Sequence, residues 1–191
     1  MMRSPRRPIL VVTEGYTEAN YLEAVRLREA TRHIRKIINA KGGGGIVQAL
    51  ERTNLDGFEE VWLVVDAEKH PHVTCARLRQ SIEKQSAEDQ TRVMITAPKF
   101  EAWLLAHFEK PTGTGARIEA RLREHYGFKK SDLPKGINLD RWATAAARLE
   151  QLDLGVPDIP AQAYECPLCR LASGMSAAVE LVGGSPSRRA H

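Results

Sequence analysis

The chain of 191 residues falls in the size range of one domain with a small appendage, and its three cysteines exclude a disulfide-stapled secreted fold. No apolar run approaches the roughly 20 residues that a membrane span requires, and no secretory leader opens the sequence, so we expect a cytoplasmic protein. The net charge of +4, from 28 basic and 24 acidic residues, permits an anionic partner such as nucleic acid without requiring one.

The first part of the chain alternates apolar strands with helix-forming segments. We predict strands at 9–13, 33–40, 61–65 and 91–96. We predict helices within 18–30, 46–54, 74–85 and 99–110. Thr17 is the predicted N-cap of the first helix. Alternation at these lengths is typical of parallel βαβ units, so we predict an α/β fold with a Rossmann-like parallel sheet flanked by helices.

The remainder of the chain has a different character. Two amphipathic helices are predicted at 115–127 and 139–153, on either side of a loop that contains proline and glycine. We therefore divide the chain into a core at 1–110, a helical extension at 111–182 and a disordered basic tail at 183–191.

Acidic residues recur where the apolar strands end. Glu14 follows the first strand, Asp66 and Glu68 follow the third, and Glu101 comes a few residues after the fourth. Parallel strands place their carboxyl ends at one edge of the sheet, where open α/β sheets bind ligands. Crowded carboxylates repel one another unless a cation lies among them, so the pattern favours a hard divalent ion, Mg²⁺ or Mn²⁺, bound by these four acids. The alternative for any single acid is that it caps the next helix.

Two glycine- or cysteine-containing patterns are weaker signals. Four glycines after Lys41 lack the Lys-Ser or Lys-Thr ending of a phosphate-binding loop, and we interpret them as a flexible connection. Cys166 and Cys169 form a C-x-x-C that would supply half of a zinc site. Because the sequence has no second cysteine pair, zinc at this position is a less favoured alternative that the sequence leaves open.

Three segments that contain the acids, "ILVVTEGYTEANYLEAV", "EEVWLVVDAEKH" and "APKFEAWLLAHFE", resemble in order and spacing the signature segments of RloB-like proteins. The resemblance implies a Toprim-type domain in which Glu14 is the glutamate after the first strand. Asp66 and Glu68 then match the family's Asp-x-Asp motif, and Phe100 and Glu101 match its Phe-Glu pair.

The same resemblance implies a metal-dependent nuclease that acts as the effector of an anti-phage abortive-infection system. An ATPase of the AAA or ABC type is the implied partner, and a homo-oligomer is compatible with the sequence. Toprim relatives include nucleases of DNA and of tRNA. By this analogy we expect RNA, and tRNA above all, as the substrate.

Several basic residues accompany the acids. Lys69, His70 and His72 are candidates to contact the scissile phosphate or to protonate the leaving oxygen, with a solvated loop as the alternative. The predicted catalytic set consists of the four acids and one of these basic residues: Glu14, Asp66, Glu68, Glu101 and Lys69. His107 lies one helical turn after Trp103 and is interpreted as a packed structural histidine. Five basic residues of the extension are compatible with guiding nucleic acid or with a solvated helix face: Arg117, Arg121, Arg123, Lys129 and Lys130.

Two other functions remain open. The first is a non-catalytic binding subunit of an ATPase-containing complex, because Glu68 replaces the motif's second aspartate. In addition, Thr96 and Ala97 stand before Pro98 where the family has Ser-Asn, which we interpret as the loss of two polar side chains from the site. The second is a phosphoacceptor receiver domain, although the stretch after the first strand lacks the pair of acids that such a domain needs.

Overall fold

A computed structural model describes seven stretches of the chain: residues 8–27, 34–41, 43–66, 71–87, 90–96, 98–130 and 132–149. The predicted tail at 183–191 and the Cys166 and Cys169 pair lie outside these residues, as does the later part of the helical extension. No helix in the described stretches is both long enough and apolar enough to span a bilayer.

The described residues form four strands and six helices. The strands are β1 (Ile9–Thr13), β2 (Ile34–Asn39), β3 (Glu60–Asp66) and β4 (Thr91–Thr96). The helices are α1 (Tyr16–Arg26), α2 (Gly43–Arg52), α3 (Pro71–Lys84), α4 (Phe100–Ala106), α5 (Gly115–Tyr126) and α6 (Trp142–Leu149). A single 3₁₀ turn at Leu139–Arg141 precedes α6. The four predicted strands are confirmed to within one residue at each end.

The strands pair in the order β2-β1-β3-β4, and every pairing is parallel. This confirms the predicted α/β fold, with helices flanking the sheet and further helices after it. β1 and β3 lie in the middle of the sheet, and their apolar runs are buried along their whole length. Continuous apolar runs suit central parallel strands because helices cover both faces of the sheet.

Alternate residues of the central strands enter two apolar clusters, one on each face of the sheet. Leu10 and Leu63 pack in a cluster with the apolar residues of α2 and α3. Val11 and Trp62 pack in the other cluster with residues of α1 and α4. The second cluster also includes Leu122 of α5 and residues of α6, so the described helices of the extension share a core with the sheet.

Two local predictions near the sheet edge are wrong. α1 begins at Tyr16 with Gly15 as its N-cap, so Thr17 is buried in the first turn and does not cap the helix. The hydroxyl of Thr13 donates to the carbonyl oxygen of Gly15 at 3.1 Å, which tightens the turn and starts the helix early. α2 begins at Gly43, so the glycines at 43–45 open a helix and are not a flexible connection. Burial of the apolar side of α2 outweighs the poor helix propensity of glycine.

Gly45 lies where the first turn of α2 passes the end of β2. A Cβ added to Gly45 would lie 2.0 Å from the carbonyl oxygen of Ala40. This oxygen belongs to the backbone, so relief requires the helix to shift against the strand. We expect Gly45→Ala to lower the free energy of unfolding by about 3 kcal/mol or more, measured by urea denaturation.

Gly57→Ala is the matched control. Gly57 has a φ of +84°, and a Cβ there would meet nothing within 4 Å, so only backbone strain of about 1 kcal/mol is expected. Equal losses at the two glycines would show that the close approach at Gly45 does not constrain the fold.

Candidate active site

The carboxyl edge of the sheet brings Glu14 and Asp66 into direct contact. The backbone N–H of Glu14 donates to the carbonyl oxygen of Val64 at 3.1 Å, which extends the pairing of β1 with β3 by one residue. The carboxylate Oε2 of Glu14 in turn accepts from the backbone N–H of Asp66 at 3.0 Å. Two of the predicted site residues are therefore neighbours, although they come from different strands.

Asp66 is held by the segment that leads into α4. Its Oδ1 accepts from the backbone N–H of Phe100 at 2.9 Å and from the hydroxyl of Thr96. The expected loss of two polar side chains before Pro98 is therefore wrong for Thr96, because this threonine keeps a hydroxyl in the site. These contacts also bring the start of α4, and with it Glu101, to the same edge as Asp66.

Glu18 is the acid that the sequence analysis missed. It lies in the first turn of α1 with only 4% of its surface exposed. A Cβ on Gly15 would lie 2.9 Å from Glu18 Oε2, so this carboxylate lies over the start of its own helix. The available signal was its position four residues after Glu14 in "TEGYTE", but a search for acids directly after strands passes over a residue inside a helix.

Burial is the largest cause of the raised pKa of three acids. The pKa of Glu18 is raised to about 8, first by burial and then by the negative charges of Asp66, Glu101 and Glu14. Burial likewise raises the pKa of Asp66 to about 7, against the opposing effect of the hydrogen bonds from Thr96 and Phe100. The pKa of Glu101 is also raised by burial, while the positive charge of Lys99 lowers it. Neighbouring buried acids with raised pKa values are typical of functional sites.

The acids at this edge fit a hard divalent cation, because each offers carboxylate oxygens. There are four of them in the described stretches: Glu14, Glu18, Asp66 and Glu101. Within the described stretches, however, no three His, Cys, Asp or Glu side chains form a group ready to hold a metal ion. Backbone N–H groups engage Glu14 Oε2 and Asp66 Oδ1 instead. The predicted ligand Glu68 lies outside the described residues, and so do Lys69 and His70. The side chain of His72 is likewise not described.

Comparison with known protein families shows which family this chain belongs to. The family model described as RloB-like protein matches residues 9–159. The chain belongs to the RloB-like family. The resemblance found in the three acidic segments is thereby confirmed, and the match extends from β1 through α6. No curated protein and no solved structure matches the chain significantly.

The basic residues of this RloB-like protein separate into distinct groups. Arg123 and Lys130 lie near the carboxylate of Glu119, together with Lys99, a cation that the sequence analysis did not single out. Arg121 pairs instead with Glu109, with 2.6 Å between Arg121 Nε and Glu109 Oε1. The remaining two predicted residues of this set, at 117 and 129, are exposed.

His107 contacts Trp103 as predicted, with ring centroids 5.2 Å apart. It is 2% exposed, and its Nδ1 lies 3.0 Å from the carbonyl oxygen of Asn138. A carbonyl oxygen only accepts, so Nδ1 carries the proton and Nε2 accepts from the hydroxyl of Tyr21 at 3.2 Å. His107 thus connects α1, α4 and the loop before the 3₁₀ turn, which supports its interpretation as a structural residue.

Proposed function

We propose that this RloB-like protein is a metal-dependent nuclease of the Toprim type that hydrolyses phosphodiester bonds, with RNA, and tRNA above all, as the substrate. The observation that supports the proposal most directly is the convergence of four carboxyl groups from β1, α1, β3 and α4 at one sheet edge. Burying several like charges together destabilises a fold, so such an arrangement suggests a functional role.

In this proposal Glu14, Asp66, Glu68 and Glu101 hold Mg²⁺ or Mn²⁺, and Glu18 completes the acidic group. A metal ion held by these residues would supply activation of water and stabilisation of the leaving oxygen of a phosphodiester. Asp66 is oriented by the Phe100 N–H and the Thr96 hydroxyl. Glu14, next to Asp66, is assigned the second role of general base or acid, and Lys69 is assigned to the scissile phosphate.

The biological role is proposed from the family alone. We infer an effector of anti-phage abortive infection that works in the cytoplasm with an AAA- or ABC-type ATPase as its partner. In this proposal the ATPase partner holds the nuclease inactive until it is released.

The test is cleavage of bulk tRNA, bulk RNA and plasmid DNA by the purified full chain with Mg²⁺ or Mn²⁺. We expect products from tRNA that disappear with EDTA. Glu14→Gln keeps the side-chain shape but removes the charge, and cleavage is expected to fall at least about tenfold.

Glu83→Gln is the matched control for that experiment. Glu83 is exposed in the last turns of α3, which runs away from the carboxyl edge of the sheet, so its replacement is expected to leave cleavage unchanged. Products that persist in EDTA, or equal activity of Glu14→Gln and the native protein, would contradict the nuclease proposal.

A non-catalytic binding subunit is the second candidate. The observation in its favour is that Asp66 Oδ1 already accepts two hydrogen bonds, from Phe100 and Thr96. Calorimetric titration with Mn²⁺ separates the two functions. Tight Mn²⁺ binding that Glu14→Gln weakens favours the nuclease, whereas absence of both Mn²⁺ binding and cleavage favours the binding subunit.

A further inference from the structure

A buried carboxylate on α5 gathers three cations beside the acidic site. Glu119 is 9% exposed, and its carboxylate oxygens lie 3.4 Å from Lys99 Nζ and 3.9 Å from Lys130 Nζ. Arg123 Nη2 also donates to Glu119. Three positive charges around one negative charge leave these four side chains with a net positive charge, which is complementary to an anion.

Lys99 connects this cationic group to the acidic site. It is the N-cap residue of α4, directly before Phe100 and two residues before Glu101. Its side chain is 14% exposed and lies against Gly115, where an added Cβ would be 2.8 Å from Lys99 Cε. The charge of Lys99 lowers the pKa of Glu101, as does that of Lys130 to a smaller extent. The cationic group therefore borders the acids.

Arg123 and Lys130 form the accessible part of the group. Their side chains are 58% and 64% exposed, so their charged ends remain within reach of a ligand in solution. Guanidinium and ammonium groups carry more N–H donors than the contact with Glu119 uses. Arg123 and Lys130 can therefore contact a phosphate while they keep their contact with Glu119.

We propose that Lys99, Arg123 and Lys130, positioned by Glu119, bind a backbone phosphate of a nucleic-acid strand next to the phosphate that reaches the acids. The identity of the ligand rests on the proposed nuclease function, but the binding itself does not require cleavage. A phosphate contact gives affinity and register without base specificity, so RNA and DNA of one sequence are expected to bind this group similarly.

The two sides of α5 provide a matched comparison. Arg117 and Arg121 lie one turn apart on α5, and Arg121 pairs with Glu109. Arg123 is two residues after Arg121, which turns it by about 200° around the helix axis. The double variants Arg123→Gln/Lys130→Gln and Arg117→Gln/Arg121→Gln each remove two exposed positive charges, but only the first changes the cationic group.

The experiment measures anisotropy of a fluorescein-labelled RNA hairpin, and of DNA of the same sequence, with Ca²⁺ present to limit cleavage. For Arg123→Gln/Lys130→Gln we expect affinity to fall about tenfold or more, and the slope of log K against log salt to decrease by about 1 to 2. The other double variant is expected to change affinity less than about threefold. Arg123→Lys retains the charge and is expected to retain binding.

The outcomes separate this proposal from the nuclease proposal. Equal losses in the two double variants, or no binding by the native protein, would overturn the phosphate site. If only Arg123→Gln/Lys130→Gln loses binding, and the native protein binds the probe but cleaves nothing, the phosphate site is supported. The same result would count against the nuclease. Thermal denaturation of each variant verifies that the exposed substitutions leave the fold intact.

Discussion

Asp66→Asn is expected to lower kcat/KM for nucleic-acid cleavage by about 100-fold or more, which corresponds to about 3 kcal/mol of lost transition-state stabilisation. Asparagine keeps an oxygen that accepts from the Phe100 N–H and the Thr96 hydroxyl, so the connection between β3 and α4 survives. It cannot carry the negative charge that a hard cation requires. The loss therefore reports on charge at this position and not on the fold.

The measurement is initial-rate cleavage at several substrate concentrations in Mg²⁺, alongside thermal denaturation. Asp56→Asn is the control, because Asp56 is exposed in the turn before β3 and the same chemical change there is expected to alter neither quantity. Full activity of Asp66→Asn would remove Asp66 from the catalytic set. A collapse of the melting temperature would instead assign it a structural role.

Glu18→Gln is expected to stabilise the protein at pH 8, by on the order of 4 kcal/mol. Burial raises the pKa of Glu18 from its ordinary value of 4.5 to about 8, so the folded state holds a proton that the unfolded state has lost. Stability is therefore unaffected by Glu18 below about pH 4.5, falls as the pH rises towards 8, and stays reduced above it. Glutamine has no proton to lose and avoids this penalty.

Urea denaturation of the native protein and of Glu18→Gln, at pH 5 and at pH 8, tests whether the substitution raises the free energy of unfolding. The gain from Glu18→Gln is expected to shrink to less than about 1 kcal/mol at pH 5, close to the unfolded pKa. Glu23→Gln on the same helix is the control, because Glu23 forms a partly exposed pair with Arg26 and is expected to change stability by less than about 0.5 kcal/mol at either pH. Destabilisation by Glu18→Gln at pH 8 would show that an ionised Glu18 supports the fold.

Asp66 and Glu18 belong to a site whose acids are expected to favour metal binding at the expense of stability. Buried acids lower the stability of the empty site near neutral pH, and a bound cation would relieve their repulsion. Glu119 has the opposite surroundings, because three cations surround its carboxylate. Glu18 and Glu119 are both buried, but the neighbours of Glu18 repel a negative charge and those of Glu119 attract it.

Sequence reasoning found the elements and most of the acids, since both follow from local patterns. The run "VWLVV" predicted a central strand because a strand with no polar face must be covered on both sides, and β3 has this environment. Glu14 and Asp66 were found because each follows such a strand. The helix starts were less predictable, since hydrogen bonding at Thr13 and burial of α2 moved them away from the residues with the best capping or helix propensity.

The sequence by itself determined the α/β class and the edge of the sheet where acids collect, because the spacing of apolar residues dictates which faces are buried and parallel strands end on one side. Only the tertiary structure decided that Glu18 joins this edge and that Lys99 meets Glu119. Both results depend on how α1, α4 and α5 pack against the sheet. Burial and distance, which set pKa values and ion pairs, arise from that packing and leave no local pattern in the chain.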